Sequence, residues 1–511
     1  MEAAPALDTG SLVFIGFMGA GKSLAARTAG AAMGVEAIDS DHLLERRLGS
    51  SIEDYFGSHG ERAFREQEEE AVCELLEAPP APVLSLGGGA ITSERVRSAL
   101  ARHTVVLLDV DAETAWQRCR SGRPLARDRD RFDRLHAERA PLYAGLADVI
   151  LPAERRDEVR RALPAIRDLA HFPPGTKLLW AGDYPVFVGD GVLSPSRWPV
   201  PGRRFLVSDE AVGPHYAARL GDVKRDIRIP SGEAEAKTLA AAGEVLRGLA
   251  QAGMAHDDHV VALGGGVVGD VAGFCAAVYQ RGVPVVQVPT TLVAMVDSAY
   301  GGKTGVDLPE GKNYVGAYHQ PAAVLADTST LATLPAEELA AGWAEVVKTG
   351  LIAGGDLWRR VRSRERTAPD RDLVLACARV KLRIVAQDQR DAGLRQTLNL
   401  GHTVGHAIET ATGYRRYRHG EAVGLGLLAA LTLSQQPELR EEVAALLAAQ
   451  GLPVQLDPAV DRDAVAVAVQ RDKKRRGGRV GFVLVEAPGR TRTGCRVAEG
   501  DLRAAIEELT R

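Results

Sequence analysis

Short apolar runs alternate with helical periodicity over the first third of the chain. Ser11–Phe17 reads as a buried strand and Gly21–Met33 as a helix. Pro82–Leu86 and Thr104–Val110 are further strands, and Ala112–Arg120 is a helix. Strands that alternate with helices predict a parallel α/β sheet. An amphipathic, arginine-rich segment from Glu154 to Leu169 leads into His171-Phe-Pro-Pro-Gly175, a breaker cluster that marks a domain boundary. The alternation then resumes, with strands at Val186–Gly189, Arg204–Val207, His259–Leu263 and Val283–Val288. From Pro335 to Arg471 the pattern turns helical. The expected fold class is α/β. A P-loop NTPase-type parallel-sheet domain (1–170) precedes a Rossmann-like α/β domain (171–334) and a mostly α-helical metal-binding domain (335–511).

Composition narrows the class of function. Apolar residues make up 45% and charged residues 25% of the 511, as in a soluble globular protein. A net charge of −4 gives no global pull toward nucleic acid or an anionic membrane, so any anion must be held locally. None of the five cysteines forms a CxxC pair, which suits a reducing compartment. The start lacks a basic leader, and no apolar run reaches the roughly 20 residues needed to span a bilayer. A cytoplasmic enzyme without nucleic-acid or membrane partners is expected.

The first chemical signal is Gly16-Phe-Met-Gly19-Ala-Gly21-Lys22-Ser23, a GxxxxGK[ST] loop between a strand and a helix. Its backbone N–H groups and the helix N-terminus suit phosphate oxygens. Lys22 reaches the β/γ-phosphates of ATP, and the Ser23 hydroxyl binds Mg²⁺. Asp39-Ser-Asp41 ends a probable strand; the pair suits Mg²⁺ and a substrate hydroxyl, or caps a helix. Arg65 and Glu68 share a helix face, where a surface ion pair is the plain alternative. Gly87-Gly88-Gly89 ends another strand. Arg123-Pro124 opens a charged segment that suits a lid, and Arg139 begins Arg-Ala-Pro-Leu-Tyr143.

These elements, in this order, resemble shikimate kinase over about the first 168 residues: GFMGAGKS, DSD, FREQE, GGG, GRPL and RxPLY. The resemblance implies that Asp39 supports Mg²⁺. Asp41, Arg65, Gly88 and Arg139 would hold shikimate, the two arginines on its carboxylate, and Arg123 would be the lid arginine on the transferring phosphate. Such positioning and charge neutralisation is what phosphoryl transfer requires. Arg123 and Arg139 stand a few residues closer than is usual for the family, and the intervening RDRDRFDR is highly charged. An inactive kinase half is therefore an alternative, as is a gluconate-type kinase; Arg65 and Arg139 favour a carboxylated acceptor.

In the second half, Asp258–Leu263 enters the turn Gly264-Gly265-Gly266 and a helix carrying Asp270, an arrangement suited to a dinucleotide pyrophosphate. Lys303, Lys312 and Asn313 lie in a glycine-rich, loop-like stretch suited to anions. Glu345 lies in a helical stretch, His402 and His406 share one helical face, and His419 precedes Gly420-Glu421. A glutamate with two histidines suits a catalytic zinc with open positions; which two of the three bind is open.

Residues from about Lys177 to Arg511 resemble 3-dehydroquinate synthase through VPTTLxAxVDS, GGKTG, GKNxxGAxxQP, AEVVK, LNLGHTVGHAIE and HGEAV. The resemblance assigns Zn²⁺ or Co²⁺ to Glu345, His402 and His419. It leaves His406, Lys303, Asn313, Lys348, Arg395, Asn399 and Lys473 for the heptulosonate phosphate substrate, with Asp297 and Lys381 on ring hydroxyls and carboxylate. Asp209, Gly265, Gly266, Asp270, Thr290 and Thr291 would hold NAD, with Lys312 on the cofactor side. Arg281 would reach a neighbouring subunit's site, which implies a homodimer through this half. Two departures stand out. The lysine of Gly232-Glu233-Ala-Glu235-Ala-Lys237 comes one residue late, leaving Glu233 or Glu235 as the ribose-side carboxylate. Asp391 stands where the family often has glutamate. A sibling sugar-phosphate cyclase, such as a deoxy-inosose or valiolone synthase, is the near alternative; Lys381 and Arg395 favour the dehydroquinate product.

Overall fold

The computed structural model describes residues 10–78, 83–119, 128–363, 369–391, 393–475 and 481–511, with residues 471–475 described by backbone alone. The chain forms two compact units. Unit one is Met1–Phe187 with Pro195–Pro199, and unit two is Val188–Ser194 with Val200–Arg511.

Unit one is built on β1 (Leu12–Ile15), β2 (Ala37–Asp39), β3 (Val83–Ser85), β4 (Thr104–Asp109), β5 (Val149–Pro152), β6 (Lys177–Trp180) and the start of β7 (Pro185–Gly189). Their order is β2-β3-β1-β4-β5-β6-β7. β1 is buried at every residue, as expected for a central strand covered on both faces. All pairings from β2 to β6 are parallel. The Pro/Gly cluster at 173–175 leads directly into β6, which pairs with β5 through Val149 opposite Leu178.

In unit two, β8 (Arg204–Asp209), β9 (Val223–Ile229), β10 (His259–Gly264), β11 (Val285–Pro289) and β14 (Ala323–Asp327) form a parallel sheet in the order β14-β11-β10-β8-β9. Lys303, Lys312 and Asn313, expected in a loop-like stretch, lie instead on a hairpin of β12 (Lys303–Leu308) and β13 (Gly311–Tyr318). Its glycines mislead a composition-based reading. Gly305 and Gly316 face each other, and a Cβ on Gly316 would meet the Thr304 carbonyl at 2.3 Å, so the glycines permit strand approach here.

The region beyond Pro335 is helical as expected: Ala336–Ala353, Gly355–Arg362, Arg371–Gln387, His402–Ala411, His419–Leu433, Pro437–Ala449 and Arg462–Arg475. A small hairpin of β15 (Phe482–Ala487) and β16 (Arg490–Cys495) and a final helix follow. His419–Leu433 is buried on nearly every side, which marks it as the central helix of this bundle. Among the described residues, no helix is long and apolar enough to cross a membrane.

Candidate functional sites

In unit one, β1 runs into the glycine loop, and the helix Lys22–Met33 opens at Lys22. Gly21 precedes it at φ 92°, a left-handed conformation that glycine adopts without cost. Lys22 Nζ folds back to the Phe17 carbonyl at 3.4 Å, and Ser23 follows at the second helical position. At the end of β2, Asp39 Oδ1 accepts from the backbone N–H of Asp41 at 3.0 Å. It therefore caps its helix while lying at the strand end where a Mg²⁺ ligand was expected.

Several predicted groups converge on the loop after β3. Arg139, 7% exposed, donates from Nη1 to the Gly88 carbonyl at 3.2 Å, and the Tyr143 hydroxyl donates to the same oxygen at 2.5 Å. Arg65 lies so close that a Cβ on Gly89 would overlap its guanidinium, and a Cβ on Gly87 would meet Asp41 Oδ1 at 2.4 Å. Arg65 Nη1 binds Glu68 Oε2 at 2.5 Å, and Glu68 is buried. The pair is thus packed against the Gly87–Gly89 loop and is not a surface ion pair. Burial raises the Glu68 carboxyl above its usual range, opposed by Arg65. Arg123 lies outside the described residues.

In unit two, the C-terminal ends of β8, β10 and β11 bring Asp209, Gly264–Gly266 and Thr290–Thr291 to one edge of the sheet. Gly265 precedes the helix Gly266–Val278, which carries Asp270. Asp270 is paired with Lys237 at 2.7 Å, a partner that sequence reasoning did not assign. The Asp209 carboxylate accepts from the N–H groups of Ala211 and Val212 at 3.0 and 2.7 Å. Thr291 Oγ1 accepts from Ala294 N–H, and Thr290 Oγ1 is buried without a hydrogen bond. Of the two alternatives in the altered turn, Glu233 faces Lys312 at 2.9 Å, whereas Glu235 is exposed and folds toward Gly232.

The bundle holds a dense charge network. The helix Ala336–Ala353 buries Glu345 (0% exposed) and Lys348 (1%), and Lys348 Nζ binds Glu345 Oε2. Asp297 receives Lys381 at 2.7 Å and lies 3.9 Å from Lys348. Burial works to raise Asp297, but Lys348 and Lys381 prevail and hold it down to about 2. Glu345 Oε1 is buried without a hydrogen bond, 3.4 Å from His402 Nε2 and 3.6 Å from His419 Nε2. One ligand atom from each of these three residues fits within 4.8 Å of the others. His406 is exposed, its ring 5.2 Å from that of His402. Burial pushes His402 down to about 3, which leaves a neutral imidazole for coordination.

Other predicted residues surround this core. Arg395, 2% exposed, donates to the carbonyls of Gln389 and Gly301, and Asn399 ends the same short 3₁₀ helix. Lys303 Nζ meets Asp391 at 2.6 Å, so the shorter carboxylate still reaches its lysine. Asn313 has φ 57° and donates its N–H to Asp307. Arg281 has φ 70° beside Gln280 at φ 47°, two left-handed non-glycine residues in succession. The Lys473 side chain lies outside the described residues.

Residues 226–341 match the model of the 3-dehydroquinate synthase N-terminal domain, 342–475 that of its C-terminal domain, and 18–168 that of shikimate kinase. A 3-dehydroquinate synthase of Halorhodospira halophila is 46% identical over 323 residues, covering 60% of this chain and 91% of that protein. One from Gloeobacter violaceus is 43% identical, covering 60% of this chain and 90% of its own length. The chain belongs to the 3-dehydroquinate synthase family. With the kinase domain at 18–168, it is a bifunctional shikimate-pathway enzyme, a phosphotransferase joined to a phosphate-eliminating lyase. Among solved structures, a 2-epi-5-epi-valiolone synthase of Streptomyces hygroscopicus with NAD⁺ and Zn²⁺ bound aligns at TM-score 0.59 and 28% identity, over 64% of this chain and 96% of that one. A 2-deoxy-scyllo-inosose synthase complexed with carbaglucose-6-phosphate, NAD⁺ and Co²⁺ aligns at 0.58 and 25%, over 65% and 99%.

Proposed function

We propose that residues 1–170 phosphorylate shikimate to shikimate 3-phosphate with ATP and Mg²⁺. Residues 171–334 and 335–511, the cofactor and metal domains, would convert 3-deoxy-D-arabino-heptulosonate 7-phosphate to 3-dehydroquinate and phosphate with NAD and Zn²⁺ or Co²⁺. The observation that carries the synthase reading is the convergence of Glu345, His402 and His419 beside the Asp297–Lys348–Lys381 network. A buried carboxylate oxygen that accepts no hydrogen bond, flanked by two imidazole nitrogens, fits a divalent ion. Thr290 Oγ1, buried and unpartnered where β11 ends, fits a cofactor on that edge. Bound there, the ion supplies Lewis acidity toward a ring alcohol, and NAD supplies a hydride acceptor regenerated within the cycle.

The chain's own residues do the positioning. Asp297 and Lys381 meet the ring hydroxyls and carboxylate; Lys303, Lys348, Arg395 and His406, with Asn313, Asn399 and Lys473, hold the rest of the substrate. Holding the substrate in one geometry supplies much of the rate. In the kinase half, Lys22 and Ser23 serve ATP and Mg²⁺, Arg65 and Arg139 grip the shikimate carboxylate, and Asp41 takes the proton of the attacking acceptor hydroxyl. The solved neighbours at 25–28% identity are sibling cyclases, so the sibling reading needs its own test. The 43–46% identity to dehydroquinate synthases favours the dehydroquinate product. We take the enzyme to act in the cytoplasm as a homodimer, Arg281 reaching the partner's site. Incubation with both substrates, ATP, NAD and Zn²⁺, followed by mass spectrometry, tests the whole reading. The expected products are shikimate 3-phosphate and 3-dehydroquinate. Conversion of a non-carboxylated hexose or heptose phosphate instead would support the sibling cyclase.

A further inference from the structure

Glu409 has no role in the mechanism above. It lies on the helix His402–Ala411, seven residues after His402 and three after His406, and is 2% exposed. Its Oε1 stands 3.5 Å from His419 Nδ1 and 3.2 Å from Lys312 Nζ. Its Oε2 is buried without a hydrogen bond. Lys312 belongs to β13, also pairs with Glu233, and lies 4.5 Å above the Tyr414 ring. One carboxylate thus joins the first residue of the helix His419–Leu433 to the β12–β13 hairpin.

The chemistry of imidazole gives this contact a purpose. His419 turns Nε2 toward Glu345, so a neutral ring that offers that lone pair must carry its proton on Nδ1. A ligand imidazole is oriented and made more basic by an acceptor for that second N–H. His402 finds its acceptor in the backbone, with Nδ1 facing the Leu400 carbonyl at 3.2 Å. His419 has a carboxylate in the same role, which polarises the ring more strongly.

We propose that Glu409 is a positioning residue of the synthase site, fixing His419 with Nε2 toward the metal position and anchoring Lys312 through the same oxygen. Metal-side histidine and cofactor-side lysine then share one support. The inference rests on His419 being a metal ligand. One ligand atom each from His406, Glu409 and His419 also fits within 4.8 Å, the spacing of a second cation site. The Lys312 ammonium at 3.2 Å already fills the cation's place at that carboxylate and would repel another.

Full-length Glu409→Ala, Glu409→Gln and, as a control, His402→Ala would be compared for Zn²⁺ affinity by chelator competition, for the visible spectrum of the Co²⁺ form, and for kcat and KM of the synthase. Glu409→Ala is expected to weaken Zn²⁺ binding by about 10–100-fold and shift the Co²⁺ bands. Glu409→Gln retains an acceptor without the charge and should fall between that variant and wild type. Wild-type affinity and spectrum in Glu409→Ala, with only thermal stability reduced, would reduce Glu409 to a structural residue and overturn the proposal. If Glu409→Ala does not fold, the same result in Glu409→Gln overturns it. Loss of a second equivalent of Zn²⁺ would make Glu409 a ligand and overturn it too. Retention of full Zn²⁺ affinity in His402→Ala would sink the metal assignment itself, whereas loss there with none in Glu409→Ala removes this inference alone.

Discussion

In the kinase unit, Arg65 keeps 24% of its side chain exposed, whereas in the synthase unit Lys348 and Glu345 are 1% and 0% exposed. The first site takes its anion-binding character from backbone N–H groups at a helix start, with arginines folded onto the Gly87–Gly89 loop. The second keeps two lysines, an aspartate and a glutamate buried within one contact network. Isolated buried charges are costly, so each depends on its partner. Loss of one group is expected to cost binding in the kinase, and both chemistry and folding in the synthase.

The largest separation of the two sites comes from removing the metal position. Prolonged chelation, or His402→Ala, should lower synthase turnover by roughly 10³-fold, the several kcal/mol that a Lewis acid supplies. Kinase activity on the same chain, assayed with Mg²⁺ restored, should stay near wild type. A parallel collapse of the kinase would show that the two sites are not independent. The reciprocal variant, Arg139→Ala, removes a charge-assisted contact worth about 2–3 kcal/mol and should cut kcat/KM for shikimate by about 10²-fold. The effect should lie mainly in KM, and synthase kinetics should not move; an unchanged KM would remove Arg139 from the carboxylate site.

The two regions also differed in how far the sequence revealed them. The glycine loop, β1 and the helix opening at Lys22 are contiguous, so local pattern was enough. His402 and His419 each begin a helix, and the resemblance singled them out. What stayed hidden was either local structure with a misleading composition or contacts between distant segments. The hairpin at 303–318 was masked by its glycines, and β6 by its position after a breaker cluster. The pairing of Asp297 with Lys381 spans 84 positions, and that of Lys312 with Glu409 spans 97. Only Glu409 had a usable local signal, its i+3 spacing from His406 and i+7 from His402 on one helix.

The dependence of the synthase network on paired burial has a stability consequence. Lys381→Ala strips Asp297 of its nearest cation and should destabilise unit two by about 3 kcal/mol, since breaking a buried pair leaves an uncompensated charge. Lys381→Met, close to the lysine stem in shape, should recover the packing part and none of the synthase activity. Thermal unfolding followed alongside residual kinase activity would show whether the loss is confined to the synthase. An unchanged unfolding midpoint in both variants would mean that Lys348 alone satisfies Asp297.

The smallest expected effect is a pH dependence seated away from either site. His259 on β10 is 0% exposed, with Nδ1 facing the Pro201 carbonyl at 2.9 Å, and burial pushes it down from 6.5 to about 4. Its folded value lies below its unfolded one, so between those values the unfolded chain binds a proton that the folded chain refuses. Stability must therefore fall as pH drops through that window and be unaffected by His259 above it. At about pH 5.5 the loss from this residue is about 1 kcal/mol relative to neutral pH. In the kinase unit, the partly buried His103 is also lowered by burial, but it lies against the backbone of both Ser11 and Leu76 and is not fully enclosed. Denaturant unfolding at pH 7 and about pH 5.5 should thus show the greater acid sensitivity in unit two, and His259→Gln should lessen it without removing it, because burial also lowers His402. A slope unchanged from wild type in that variant would take His259 out of the proton linkage.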